Sequence, residues 1–268
     1  MNRVLGRNIY IVDLATVAAA AGGPQAFAQR CTDCKFNAVW VRLGHAQDLD
    51  TNFTDPGFAA IKSALAHAGV GLWGWHVPQC PDLDSADKEA NLVISTAKNN
   101  ALSGILLDAE QNGDNETRYF LGGNPEADHY ASKIRNDCLL SGRGLALSSN
   151  DQPPKHQGFP FDIFLKYVYD NCPQVYYQSS PAKTRLDLSI AGYKPLETGR
   201  NFQDRYKPVG NITLGDDVSL PDEQTCIQTT KEFMGLIKQY SFKAYSFWCW
   251  DEAPASIWQV FQQSAVLV

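Results

Sequence analysis

No run of five basic residues occurs anywhere in this 268-residue chain, and its formal net charge is −6. This argues against nucleic acid and anionic membrane surfaces as main partners, since both call for a basic patch. No stretch approaches the roughly 20 apolar residues of a transmembrane span, so membrane insertion is not expected. A G-x-G-x-x-G after the first strand-like run is missing, since Gly22-Gly23 has the wrong spacing, and no P-loop lysine motif exists. The common nucleotide cradles are therefore absent. The five histidines include no H-E-x-x-H, and no G-x-S-x-G elbow surrounds Ser148 or Ser149, which argues against zinc and serine hydrolases. Asp48-x-Asp50-x-Asn52 opens like a calcium loop, but Phe53 stands where a glycine should turn the chain and Ala59 where a glutamate should close it. A solvated loop is the reading there, and no metal is expected.

Seven cysteines leave at least one thiol free or paired between chains, and the count is compatible with one or two disulfides. Cys31-x-x-Cys34 lacks a second close pair, so a thiol pair at a helix end ranks ahead of a redox motif, with zinc last. Met1 to Arg7 is basic and Ala26-Phe27-Ala28 superficially resembles a signal-peptide cleavage site. Asp13 and Gly22-Gly23-Pro24 interrupt the apolar segment between them, so residues 8–13 read as a strand instead. The sequons at Asn52, Asn115 and Asn211 carry little weight, because Asn211 falls within a strand-like run.

What is present is a rhythm. Strand-like runs at 9–13, 38–43, 71–77, 104–108, 144–149, 174–178, 209–214 and 244–250 alternate with helical segments near 24–33, 56–68, 84–99, 125–141, 159–170, 181–190, 222–240 and 255–264. Asp55-Pro56, Asp84-Ser85 and Pro221-Asp222-Glu223 offer helix starts, while Gly69 and Gly142 offer stops. Eight such repeats in a chain of this length predict one (β/α)8 TIM-type barrel over residues 1–268, with a doubly wound open sheet as the alternative.

The most informative run is Gly104-Ile105-Leu106-Leu107-Asp108-Ala109-Glu110, a buried-type strand ending in two carboxylates spaced i, i+2. Residues two apart share a face, so Asp108 and Glu110 point together at the carboxyl end, where barrel chemistry happens. An ordinary acidic strand-to-loop boundary is the bland alternative. In a barrel, Asp13, Arg42 with His45, His76, Asn150, Gln178, Asp216 with Asp217, and Trp250 with Asp251 would gather at the same mouth. Several acids there raise one another's pKa, which suits glycosidic bond cleavage. Of the paired aromatics, Trp250 and Tyr177 are placed on the ligand side, and Trp73 and Trp75 are placed outward against helices. His76 is either a site residue or a hydrogen-bonded core histidine.

Asp55-Pro56-Gly57-Phe58, Ala64, Ala68-Gly69, Gly71-Leu72-Trp73-Gly74-Trp75-His76 and Leu107-Asp108-Ala109-Glu110 together resemble the glycoside hydrolase family 25 lysozymes over roughly residues 8–111. That resemblance implies Glu110 as general acid, Asp108 orienting the sugar's acetamido group and Asp13 in support. It also implies a peptidoglycan substrate and no cofactor. The ending Phe247-Trp248-Cys249-Trp250-Asp251-Glu252 instead resembles the eighth strand of family 18 chitinases, as Gln174-Val175-Tyr176-Tyr177-Gln178 resembles their sixth. Residues 103–110 also resemble their D-G-x-D-x-D-x-E, with Ser103 and Leu106 replacing the first two acids. Both resemblances imply a polysaccharide or oligosaccharide of N-acetylated sugars as substrate, and both are compatible with an extracellular or cell-wall-acting protein. A non-catalytic carbohydrate-binding or structural barrel is the rival expectation, because a fold does not specify its function.

Overall fold

A computed structural model describes residues 2–111, 119–177, 180–214 and 220–265. Eight parallel strands form a closed ring in chain order: β1 (Gly6–Ile11), β2 (Phe36–His45), β3 (Gly71–Val77), β4 (Gly104–Asp108), β5 (Gly144–Asn150), β6 (Asp170–Gln174), β7 (Val209–Asn211) and β8 (Ala244–Trp248). Each pairs with the next, and β8 pairs with β1 to close a (β/α)8 barrel. The expected helices cover its outside, among them Pro24–Asp33, Leu83–Asn99, Asn124–Ser141 and Glu223–Gln239. A short helix not expected from the sequence, Leu14–Ala20, follows β1.

Local chemistry sets the boundaries. Asp82 and Asp222 each cap a helix by accepting a backbone N–H three residues on, from Ser85 and Thr225, both at 2.7 Å. Gly142 ends its helix in the left-handed region, at φ 73°, which residues with a Cβ rarely adopt.

Two apolar layers result. The outer one lies between strands and helices; the inner one fills the barrel with Tyr10, Trp40, Trp73, Trp75, Leu106 and their neighbours. Trp73 and Trp75 therefore point inward, contrary to expectation. Gly104 and Gly144 make room for this aromatic filling. A Cβ on either would meet the Trp73 ring at 2.3 and 2.2 Å. All seven cysteines are buried, and Cys31, Cys34, Cys80, Cys138, Cys172 and Cys226 are free thiols. Burial pushes the Cys31 and Cys34 thiols up, so neither is a thiolate at neutral pH.

The sixth strand needs the largest correction. It runs four residues earlier than expected, because Asp170-Asn171-Cys172-Pro173-Gln174 reads locally as a polar loop. Its first carboxylate is satisfied from far away: Arg3 pairs with it at 2.7 Å and the Val4 N–H donates to it at 2.8 Å.

Candidate active site

Asp108 is the last residue of β4, paired in register with Ser148 of β5. The ladder continues beyond the strand, since the Ala109 N–H donates to the Ser148 carbonyl at 3.0 Å and the Gln111 N–H to Asn150 Oδ1 at 2.9 Å. This extension holds Asp108 and Glu110 on the inner face while Ala109 packs into the outer layer. Gln174, at the end of β6 opposite Asn150, reaches both acids. Its Nε2 lies 2.9 Å from Asp108 Oδ1, 2.8 Å from Glu110 Oε1 and 3.2 Å from Ser148 Oγ. An amide has two N–H donors, and the two carboxylates are its shortest contacts. Those oxygens therefore lie within two hydrogen-bond lengths of one another.

Asp108 is 6% exposed and sits above the buried Leu106 on the same strand face. Burial pushes its carboxyl up to about 6, against the opposing hydrogen bonds of Ser148 and Gln174. Asn150 Nδ2 approaches Glu110 Oε2 at 3.4 Å. The acids open into a cleft of about 550 Å³. Its walls are Arg42, His45, Asp48, Leu49 and Asp50 on one side and Tyr119 on another, with Trp75, Val77 and Trp248 as apolar lining. That volume suits a small-molecule or saccharide unit. A larger hollow, about 660 Å³, opens beside Lys231, Lys238 and Lys243, where no carboxylate among the described residues lines it.

The calcium-like run is part of this wall. Asp48–Leu49 forms a short antiparallel strand on the end of β2, and Asp50 ion-pairs with Arg42. Asn52 is buried; it accepts from the Leu14 N–H and donates to the Val12 and Arg42 carbonyls, tying the ends of β1 and β2 together.

Glu110, Asp108, Arg42 and Asn150 are thus brought together. Five other expected site residues are not. Trp250 lies in the outer layer against Phe27, Phe36 and Trp258, because β8 ends at Trp248 and strand alternation does not extend two residues further. Tyr177 likewise packs outward on Phe233 and donates to the Asn211 carbonyl at 2.9 Å. With β6 ending at Gln174, the inward-facing aromatics at these two strand ends are Tyr176 and Trp248. His76 is a core histidine: Nε2 meets the Ala46 carbonyl and Nδ1 the Tyr130 hydroxyl, both at 2.8 Å. Burial lowers its pKa to about 4, so the ring is neutral, with Nε2 donating and Nδ1 accepting.

Asp13 caps the unexpected helix by accepting from the Thr16 N–H at 2.9 Å. Asp251 clasps the end of β1, accepting from the Val12 and Asp13 N–H groups at 2.8 Å each. Gln178, Asn115, Asp216 and Asp217 lie outside the described residues. Gln174 is the residue that sequence reasoning passed over. A strand end two residues before an inward Tyr would have found it. Among the described residues, no cluster of His, Cys, Asp and Glu suited to a metal ion occurs.

No family model matches the chain, and no curated protein matches it. Solved structures do. A family 18 chitinase from Cycas revoluta, solved with (GlcNAc)4, matches with TM-score 0.64 at 9% identity, over 96% of this chain and 98% of that one. A chitinase from Rhizomucor miehei matches with TM-score 0.67 at 12% identity, over 96% and 98%. The spore cortex-lytic enzyme SleL of Bacillus megaterium matches with TM-score 0.61 at 10% identity, over 98% and 74%. The chain has the fold of these chitinase barrels. The lysozyme-family reading of residues 8–111 finds no support among these structures.

Proposed function

We propose that this cleft hydrolyses a polymer of N-acetylhexosamine, with Glu110 as general acid and Asp108 as the group that orients the substrate's acetamide. The observation that carries the reading is the pair of carboxylates bridged by the Gln174 amide at the floor of a saccharide-sized cleft. Burial of Asp108 keeps a proton within the pair toward neutral pH, and the less buried Glu110 is the member that delivers it. The proton passes to the glycosidic oxygen as the C–O bond breaks. The acetamido oxygen bonds to the anomeric carbon, and Asp108 accepts the acetamide N–H hydrogen bond. Water then attacks that carbon, gives its proton to the Glu110 carboxylate and releases the acetamide. No cofactor enters this scheme.

Trp75, Trp248 and Tyr176 supply apolar faces for sugar rings. The chitinase and cortex-lytic neighbours support an N-acetylated glycan as substrate class, and chitin and peptidoglycan are the two polymers to try. Release of reducing ends from each tests the reading. Glu110→Gln should lower turnover by about 10²-fold or more while the glycan still binds. Unaltered turnover would remove Glu110 from the reaction.

One observation favours a second reading, a carbohydrate-binding barrel without catalysis. Ser103 and Leu106 occupy the positions of the first two acids in the chitinase-like strand. Binding of either polymer by the unaltered protein, with no release of reducing ends, selects that reading.

A further inference from the structure

Glu89 is fully buried on the helix Leu83–Asn99 and outside the cleft, yet it is the hub of a loop contact that reaches Glu110. The link from β3 into this helix begins Pro78-Gln79-Cys80-Pro81. Proline has no N–H, so Gln79 and Cys80 carry the donors of this stretch. Glu89 takes both, at 2.9 Å from Gln79 N and 2.8 Å from Cys80 N, and the Cys80 thiol adds a third contact at 3.4 Å. Cys80 stands at φ 44°, a left-handed conformation that a residue with a Cβ holds only when its surroundings impose it.

The outer side of this link carries the chain returning from the catalytic strand. The Leu121 N–H donates to the Gln79 carbonyl at 2.8 Å, and the preceding Phe120 N–H donates to the Glu110 carbonyl at 3.0 Å. Gly122 lies so close that a Cβ there would meet the Cys80 carbonyl oxygen at 2.4 Å. Backbone thus lies directly on backbone, from the Glu89 carboxylate through Gln79 to Leu121 and Phe120, and so to the peptide of the proposed general acid.

We infer that Glu89 is a positioning residue, which holds the link between β3 and its helix in the one shape that seats the return of the β4 loop and with it Glu110. This rests on the hydrolase reading above for its catalytic consequence, but not for its structural one. Glu89→Gln replaces one acceptor oxygen by a donor facing a donor, so one of the two N–H contacts is lost. The expected result is a fall in kcat of about 10-fold or more, with KM changed less than about twofold. Backbone amide exchange over residues 119–123 should quicken by about 10-fold, with residues 104–108 unchanged. Loss of stability alone would leave kcat per folded molecule intact well below the melting temperature.

Gly122→Ala attacks the same seat from the opposite side and should reproduce both effects with Glu89 intact, which keeps the test available should Glu89→Gln not fold. Wild-type kcat in a folded variant, or unchanged exchange over 119–123, overturns the inference. Should the unaltered protein release no reducing ends, the hydrolase reading fails, and the exchange measurement alone decides whether Glu89 seats the loop.

Discussion

At the amino ends of the strands the barrel interior is packed shut by Trp40 and Trp73, with Gly104 and Gly144 leaving no volume to spare. At the carboxyl ends the same strands spread around a cleft and present Asp108, Glu110, Gln174 and Arg42. One end is governed by volume and fails by collision or cavity; the other is governed by hydrogen bonds and charge, and fails in binding and protonation. The difference shows how one architecture separates a packed core from the cleft where the proposed chemistry would take place, along a few residues of strand. It also explains why a tryptophan two positions away can have a different task. Trp248 edges Tyr10 and Trp75 under the cleft, whereas Trp250 is core outside the ring.

The sharpest way to break this contrast is to truncate the two tryptophans separately. Trp250→Ala should cost about 3–5 kcal/mol in chemical denaturation and leave saccharide affinity in the folded fraction unchanged. Trp248→Ala should cost far less stability and weaken binding of an N-acetylglucosamine oligomer by about tenfold, measured by calorimetry. Equal effects of the two on affinity would erase the distinction. At the closed end, Gly104→Ala should lower stability by up to about 3 kcal/mol, because the Trp73 ring has nowhere to move. Unchanged melting would show that the Trp73 ring has room to move aside.

At the open end, removing a charge should stabilise. The folded-state pKa of Asp108 is raised, so the folded chain keeps a proton that the unfolded chain has released between about pH 4 and pH 6. Wild-type stability therefore falls as pH rises through that window. Asp108→Asn should recover about 3 kcal/mol at pH 7 and nothing below pH 4, read from melting curves across pH. A pH-independent difference would assign the effect to packing. The smallest expected change comes from Gln174→Ala, which should leave melting nearly unaltered and lower kcat about tenfold by releasing the two carboxylates from their shared donor.

Much of this was legible in the residues. Alternating periodicities marked the strands and helices, and the i, i+2 spacing of Asp108 and Glu110 put both on one face. The sense of that face was not legible for Trp73, Trp75, Tyr177 and Trp250. Alternation says which residues oppose one another, and only ring closure says which side is inside. The sixth strand escaped because Asp170 is polar locally and satisfied by Arg3 and Val4, more than a hundred and sixty residues away in the chain. By position His76 was open between a site residue and a core histidine, and Asp13 looked like a site residue; Ala46 and Tyr130 make the first a core histidine, and Thr16 makes the second a helix cap.

The sequence by itself determined the repeating strand and helix units, the placement of Asp108 and Glu110 on one face at the end of the fourth strand and the lack of nucleotide-cradle motifs, because these depend on short-range spacing and composition. Tertiary structure decided that one glutamine joins the two acids, which aromatics line the hollow, and that a buried glutamate on the preceding helix holds the link against which the loop after the fourth strand returns. Each of those requires groups distant in the chain to meet at hydrogen-bond or van der Waals distance, and no local pattern encodes that meeting.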